Sequence, residues 1–254
     1  MPRTFWKGVI SFGLVAIPVK MSTATESKTP SFHFLHKKCL TRPKQVLYCE
    51  RDDEYITRAD TTHGYEYADE QYVVFEDADF EKVPVKSAHS IDIAGFVKAS
   101  EIDTLYYAGS HYLEPEELGA KPFALLMSVL EKTGLVGVAK VSFARREHLC
   151  CLRPAGDIMI LHSLHFHDEV LPPDEPPAAP KISKAELDMA SQLVAAMTTT
   201  FKPEDFTDEY AAALQEMVKA KLEGVEIKEP ELPKMEIEDL MSALKESVAA
   251  ASKR

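Results

Sequence analysis

The sequence predicts an α+β protein, with a β-barrel core that contains one inserted helix and is followed by an α-helical C-terminal arm. Three observations lead to this fold class. Short segments rich in β-branched and aromatic residues, bounded by turn-forming residues, recur between residues 9 and 170. Five prolines then fall within residues 172–180, a composition that forms neither helix nor central strand. Beyond them, apolar residues recur with helical spacing.

Individual elements of the core can be placed from local patterns. Residues 71–75 and 90–97 are predicted as strands. Residues 105–113 predict a hairpin with Gly109 in its loop, and residues 148–162 predict a second hairpin. A helix is expected over residues 121–133, because Pro122 lies in its first turn and Gly134 ends it. Many short strands at this spacing are typical of a barrel or a sandwich.

Helical signals dominate the C-terminal part. Ser183 and Glu186 form a capping box before one helix, and a second helix is predicted from about Asp208 to Glu223, ending at Gly224. A third, amphipathic helix is predicted from its apolar positions Ile237, Leu240, Met241, Leu244 and Val248.

The apolar stripes of these helices need cover, either from the barrel of the same chain or from a second protomer. We divide the chain into a core (1–170), a proline-rich connector (171–182), a helical dimerisation arm (183–225) and an acidic amphipathic tail (226–254). The candidate dimerisation residues are apolar positions of the arm: Leu187, Val194, Met197, Tyr210, Leu214 and Val218.

Composition indicates a cytoplasmic protein that does not enter a membrane. No run of about 18 apolar residues is present, and the first residues lack the pattern of a secretory signal. Two of the four cysteines, Cys150 and Cys151, are adjacent, which argues against a disulfide framework and favours a reducing compartment.

Charge is distributed unevenly along the chain. The formal net charge is −12, which taken alone argues against nucleic acid as a partner. Residues 1–51, however, hold nine Lys and Arg against two acidic residues, a local net charge of +7, whereas residues 52–133 carry a net charge of −12. This asymmetry indicates one basic surface on an otherwise acidic protein, although a segment that merely happens to be rich in lysine would give the same count.

Motifs for enzymatic chemistry are missing or incomplete. Phosphate-binding glycine loops and a nucleophile elbow are absent, so we expect no catalytic residue and no cofactor. Cys39 and Cys49 lack the paired Cys-x-x-Cys spacing of a zinc ribbon, so no metal site is expected there. A metal-dependent hydrolase remains an alternative through the cluster His162, His165, His167 and Asp168, although on a strand His162 would face away from the other two histidines.

Basic residues cluster in a segment bracketed by apolar residues that we expect to form strands, Phe32 and Phe34 on one side and residues 46–48 on the other. Such strands can project the cations of a loop toward phosphates without reading bases. No helix with the composition of a major-groove recognition helix is visible.

Several blocks of the chain closely resemble bacterial Ku proteins. The most specific is Trp6-Lys-Gly-Val-Ile-Ser-Phe-Gly-Leu-Val-Ala-Ile-Pro-Val-Lys20, followed by Phe32-His-Phe-Leu-His-Lys-Lys38. Further similar blocks follow in the family's order: residues 64–67, 71–74, 91–97, 101–103, 139–140, 146–149 and 152–154. The likeness covers about residues 1–225.

The resemblance implies a non-enzymatic homodimer that forms an open ring, threads onto ends of double-stranded DNA and recruits DNA ligase D in non-homologous end joining. It would act in the cytoplasm, on the DNA of the nucleoid. DNA contact is implied for the basic positions in or beside the similar blocks: Lys7, Lys20, Lys37, Lys38, Arg42, Lys44, Lys140, Arg145, Arg146 and Arg153.

Three departures from the family pattern bear on this expectation. Ala144 stands where many members have the first Arg of an Arg-x-Arg-Glu-His block, and Arg145 fills the spacer. The Cys-x-x-Cys of some relatives is reduced to Cys49, and the long Lys-rich tail of many is replaced by an acidic segment. A protein-interaction scaffold, with the lysines as plain solvated surface, remains the main alternative.

Overall fold

The computed structural model describes residues 3–83, 89–144, 146–173, 180–225 and 240–251. Two compact units can be distinguished, one formed by residues 1–27 and 33–172 and the other by residues 28–32 and 173–254. The boundary near residue 172 falls inside the predicted connector, of which residues 174–179 lie outside the described part.

Among the described residues, the first unit contains eleven strands and two α-helices. The strands are β1 (Thr4–Phe12), β2 (Val15–Thr23), β3 (Leu47–Cys49), β4 (Glu54–Ile56), β5 (His63–Ala68), β6 (Gln71–Phe75), β7 (Ser90–Lys98), β8 (Tyr107–Pro115), β9 (Leu135–Phe143), β10 (Arg146–Ala155) and β11 (Ile158–Leu164). The helices are α1 (Asp77–Glu81) and α2 (Ala120–Thr133). The second unit contains α3 (Lys184–Met197), α4 (Glu209–Leu222) and α5 (Leu240–Ala251).

Seven strands close into a barrel in the order β1-β2-β8-β11-β10-β9-β7, and a parallel pairing of β1 with β7 completes the circle. Strands β3 and β4, and likewise β5 and β6, form separate two-stranded sheets. The predicted α+β class, with a barrel core and helices after it, is therefore confirmed. Helix α2 is inserted where it was predicted, and the short helix α1 is a second insertion that was not predicted.

The interior of the barrel is filled with apolar side chains that are at most 1% exposed: Ile10, Ile17, Val19, Met21, Ile91, Leu113, Val141, Cys150, Leu152, Met159 and Leu161. They come from alternate positions of the strands, as a closed barrel requires. Helix α2 adds Phe123, Leu126, Met127 and Leu130 to the same core. Its predicted stop is confirmed, since Gly134 adopts φ 66° and its N–H donates to the Leu130 carbonyl.

The predicted hairpin over residues 105–113 is wrong. Residues 107–115 form the single strand β8, which pairs with β2 on one side and β11 on the other. Gly109 lies within this strand, opposite Ser163. A glycine inside a strand destabilises it by only about 0.5–1 kcal/mol relative to alanine. Hydrogen bonding along both edges of β8 outweighs this cost.

The hairpin predicted over residues 148–162 is confirmed as β10 and β11, with Gly156 at φ 58° in the connection. The expectation that apolar strands bracket the basic segment holds on one side only. Leu47–Cys49 is strand β3, whereas residues 24–46 lie outside all sheets and Phe32 and Phe34 are exposed.

Helices α3 and α4 begin at their predicted caps, and α4 also ends at its predicted stop. The Ser183 hydroxyl accepts from the Glu186 N–H (3.3 Å), and the Glu186 carboxylate accepts from the Ser183 N–H (2.6 Å). Helix α4 is capped by the Asp208 carboxylate, and Gly224 follows its end at φ 71°. Helix α5 packs against α3, while Ile237 lies outside the described residues. None of the described helices is both long and apolar enough to cross a bilayer.

Two histidines are enclosed by aromatic rings at one end of the barrel. His111 lies edge-on to Phe5 (5.3 Å) and Phe143 (5.6 Å), and the Phe143 ring stacks on His148 at 4.0 Å. Within the described part of the chain, His111 Nδ1 and His148 Nε2 are buried without a hydrogen-bond partner. Burial lowers the pKa of both histidines, and the charge of Arg146 lowers that of His148 further.

We expect these histidines to make the barrel sensitive to acid. A histidine whose pKa is lower in the folded than in the unfolded chain stabilises the fold fully above the unfolded value, and that stability is lost as the pH falls below it. The urea unfolding midpoint should therefore decrease from about pH 6.5 downward, before the carboxylates titrate near pH 4. The variant His111→Leu should show a smaller decrease over this range, and an equal decrease would contradict the assignment.

Candidate nucleic-acid interface

Strand alternation places one group of candidate cations on the outer face of the barrel. Lys20 lies between Val19 and Met21, both fully buried in the interior, so its side chain points outward. Lys7 stands directly opposite Lys20 in the β1–β2 pairing and shares that face.

The later strands repeat this arrangement. Lys140 follows the same rule between the buried residues Ala139 and Val141. Arg153 shares the outer side of β10 with Cys151, which lies in a hydrophobic cluster separate from the barrel core. The Arg153 Nε lies 3.4 Å from His162 Nε2 on the neighbouring strand.

A second group lies on the long loop between β2 and β3. The loop turns at Lys37 and Lys38, where the His36 N–H donates to the Thr41 carbonyl (2.9 Å). Leu40 adopts φ 53°, and its N–H donates to the His36 carbonyl (2.8 Å).

The exposed thiol of Cys39 lies within hydrogen-bonding distance of two other side chains of this turn. Its Sγ lies 2.9 Å from the Thr41 hydroxyl and 3.0 Å from His36 Nδ1. Hydrogen bonds from Thr41 and then from His36 lower the pKa of the Cys39 thiol. The lysines are thus displayed on a turn with defined local structure, and exposed Arg42 and Lys44 continue the basic stretch toward β3.

Three of the candidate cations are already paired with carboxylates. Lys7 Nζ lies 3.7 Å from Glu116, and Lys140 Nζ lies 3.1 Å from Glu147. Arg146 forms an ion pair with Glu169, whose other oxygen accepts from the Phe166 N–H at 2.8 Å. The Phe166 amide and the charge of Arg146 lower the pKa of Glu169, so this carboxylate is ionised at neutral pH.

Six candidates form no ion pair with any residue that the structure describes: Lys20, Lys37, Lys38, Arg42, Lys44 and Arg153. Arg145 lies outside the described residues. Its neighbour Ala144 adopts φ 53° in the connection between β9 and β10, a backbone conformation that residues other than glycine rarely take.

The structure separates the histidines of the alternative metal site. Strand β11 ends at Leu164, so His165 and His167 lie beyond it. The prediction that these two histidines share one side of a strand is therefore wrong. His162 contacts Ser110 and Arg153, whereas His165 approaches Glu169 (3.7 Å) and His167 approaches Tyr106 (3.4 Å). No group of three side chains among the described residues could hold a metal ion.

The candidate dimerisation residues are largely uncovered. Leu187, Val194 and Met197 on α3 and Tyr210 on α4 are 59–69% exposed, and Val218 is 40% exposed. Leu214 is half-buried. Phe201 and Phe206, between the two helices, are also exposed, with ring centroids 5.7 Å apart.

Sequence reasoning missed the partners of the cations. Glu116, Glu147 and Glu169 reach theirs from neighbouring strands or turns, and His162 and Ser110 were not connected with Arg153. The cross-strand registers that bring these groups together leave no local signal at a fixed sequence spacing.

Comparison with known proteins assigns the barrel to a class. A family model described as the Ku70/Ku80 beta-barrel domain matches residues 11–189. Proteins named "Non-homologous end joining protein Ku" are similar over nearly the full chain. The relative from Solibacter usitatus is 38% identical, covering all of this chain and 96% of the relative.

Two further relatives with the same name are also similar to this chain over nearly its full length. The one from Archaeoglobus fulgidus is 39% identical over 98% of this chain and 99% of the relative, and the one from Koribacter versatilis is 36% identical over 98% and 87%. The chain belongs to the Ku family.

The geometry of the basic turn predicts the reactivity of its thiol. Under native conditions, iodoacetamide should alkylate exposed Cys39 well before the fully buried Cys150 and Cys151, with a pH midpoint below that of an ordinary thiol. Peptide mapping by mass spectrometry would give the rate at each cysteine. Thr41→Val should slow alkylation of Cys39 without changing that of Cys49, and an unchanged rate at Cys39 would contradict the hydrogen-bonded geometry.

Proposed function

We propose that this protein binds the ends of double-stranded DNA in non-homologous end joining, as a ring-shaped homodimer that contacts backbone phosphates without sequence preference. In this proposal it recruits a DNA ligase of the ligase D type and has no catalytic residue or cofactor of its own. It acts in the cytoplasm, on the DNA of the nucleoid. The observation that carries the proposal is the nearly full-length similarity to proteins named for non-homologous end joining.

The charge arrangement supports phosphates as the ligand. Six cations without a carboxylate partner among the described residues lie on strands β2 and β10 and on the loop before β3. Because they extend from the outer face of a barrel and from a loop, they can reach a phosphate backbone without entering a groove. We therefore assign the sequence-independent affinity mainly to Lys20, Lys37, Lys38, Arg42, Lys44 and Arg153.

The paired cations have a lesser part in this proposal. Lys7, Lys140 and Arg146 must exchange a carboxylate for a phosphate, so DNA gains less from each of them. Arg145, which precedes Arg146, is retained as a candidate from the resemblance alone.

Exposed apolar side chains support a homodimer. Helices α3 and α4 leave Leu187, Val194, Met197 and Tyr210 more than half exposed. Apolar side chains at helical spacing ordinarily face a covering surface. A second copy of the chain would cover these residues in the proposed dimer. A scaffold that binds another protein through the same surface is the second candidate function.

A ring that threads onto ends should distinguish linear from closed DNA. We expect tight binding to a linear duplex and little binding to a covalently closed circle of equal length, measured by electrophoretic mobility shift. If each protomer contacts four or five phosphates, the affinity for linear DNA should fall by roughly 10³–10⁵-fold between about 50 and 200 mM salt. Equal affinity for both forms would contradict threading, and a flat salt dependence would contradict the phosphate contacts.

Charge reversal of the loop tests the assigned surface. A single variant in which Lys37, Lys38, Arg42 and Lys44 are all changed to Glu should no longer bind DNA ends. Its affinity should fall by at least about 10³-fold, because four phosphate contacts become repulsions. Sedimentation should still show the dimer. Reversal of Lys98, Lys121, Lys132 and Lys219, exposed lysines outside the candidate surface, is the matched control. Unchanged binding by the loop variant would favour the scaffold.

A further inference from the structure

Arg153 differs from the other candidate arginines and lysines of the barrel in how its charge is held. Its Nε lies 3.4 Å from His162 Nε2, and His162 Nδ1 lies 2.9 Å from the Ser110 hydroxyl. An arginine side chain can only donate, so Nε2 must be the unprotonated acceptor and Nδ1 must carry the ring proton, which the Ser110 hydroxyl accepts. The imidazole is therefore neutral in this arrangement.

A neutral acceptor fixes the guanidinium without cancelling its charge. The carboxylates that hold Lys7, Lys140 and Arg146 neutralise those cations, whereas Arg153 retains its full positive charge. Its two terminal nitrogens make no hydrogen bond with any described residue, so their N–H groups remain available to a ligand. A planar pair of donors of this kind matches the oxygens of a phosphate.

The surroundings keep the pair in this state. The rings of Tyr107 and His162 are nearly perpendicular, with centroids 5.3 Å apart, and Tyr107 interacts with Cys151 on the same outer face. Burial raises the pKa of both the Tyr107 hydroxyl and the Cys151 thiol, so both are neutral at physiological pH. Burial and the charge of Arg153 lower the pKa of His162, so the imidazole also remains uncharged.

We infer that His162, supported by Ser110, is a positioning residue that directs Arg153 at the oxygens of one backbone phosphate of bound DNA. The inference rests on the proposed function. It assigns a role to a histidine that the sequence offered as a metal ligand, and it extends the interface to two residues on β8 and β11.

A double-mutant cycle on the full-length chain tests this role, with a short linear duplex as the ligand. Arg153→Gln should weaken binding by about tenfold or more, as expected for loss of a charge-assisted hydrogen bond, and should reduce the salt slope by about 1 for each protomer that contacts the duplex. His162→Ala should weaken binding by at least about threefold, because an unanchored guanidinium must be ordered on binding.

Two comparisons separate positioning from a structural effect. His162→Gln should restore most of the affinity, since its carbonyl oxygen can accept from Arg153 and its amide can donate to Ser110. In the Arg153→Gln background, His162→Ala should cause no further loss. Additive losses, or no rescue by Gln, would overturn the inference.

Controls keep the result interpretable. His162→Ala could lower the thermal midpoint of the barrel, and in that case Ser110→Ala, which removes only one hydroxyl, is the variant to use. Ser110→Ala should weaken DNA binding less than His162→Ala, and this loss of affinity should also vanish in the Arg153→Gln background. A duplex with 5′-hydroxyl ends should show the same Arg153→Gln effect as a 5′-phosphorylated duplex, and an effect confined to the latter would overturn the backbone assignment. Failure of the wild-type chain to bind linear DNA would instead reject the proposed function.

Discussion

Filling the barrel interior is the constraint on which the rest of the first unit depends. Seven strands enclose a space in which side chains such as Ile17, Met21 and Leu161 are fully buried. An unpaired cation in this space would cost several kcal/mol, so each strand must turn its charged residues outward. Because successive side chains alternate, burying Val19 and Met21 fixes the direction of Lys20 between them. The outward direction of such cations is thus a consequence of the same alternation that makes the core.

Local patterns predict the elements whose limits are set locally. Helix α2 follows from Pro122 and Gly134, and helix α3 follows from the capping box at Ser183, because these signals act within one helical turn. Strand β8 does not follow from its local pattern, because its identity depends on β2 and β11, which lie far from it in the sequence. In the sequence, a single glycine does not distinguish a turn from a strand that is paired on both edges.

For the candidate interface, the sequence indicates which cations to consider but not which side chains they contact. The family resemblance indicated which cations to consider, yet whether a cation is neutralised depends on the register between strands and on turns. Glu169 reaches Arg146 from 23 residues away, and Glu147 reaches Lys140 across the β9–β10 pairing. The net charge of −12 is therefore a poor guide to binding, because screening limits each phosphate to the charges within about 8–10 Å. In the proposed interface, the cations that form no ion pair with a described carboxylate are Lys20, Arg153 and those of the loop.

Several apolar side chains outside the barrel core are exposed to solvent and need a covering surface. The β5–β6 sheet has two strands only, and Tyr65, Tyr67 and Tyr72 on it are more than half exposed. A two-stranded sheet has little stability in water unless a further surface covers it, and the apolar faces of α3 and α4 need the same cover. In the proposed dimer, a second copy would cover the apolar faces of α3 and α4, and the residues buried there are not the cations proposed to contact DNA. In that arrangement, dimerisation and DNA binding use different side chains, so charge can be removed from the loop without uncovering the apolar surface.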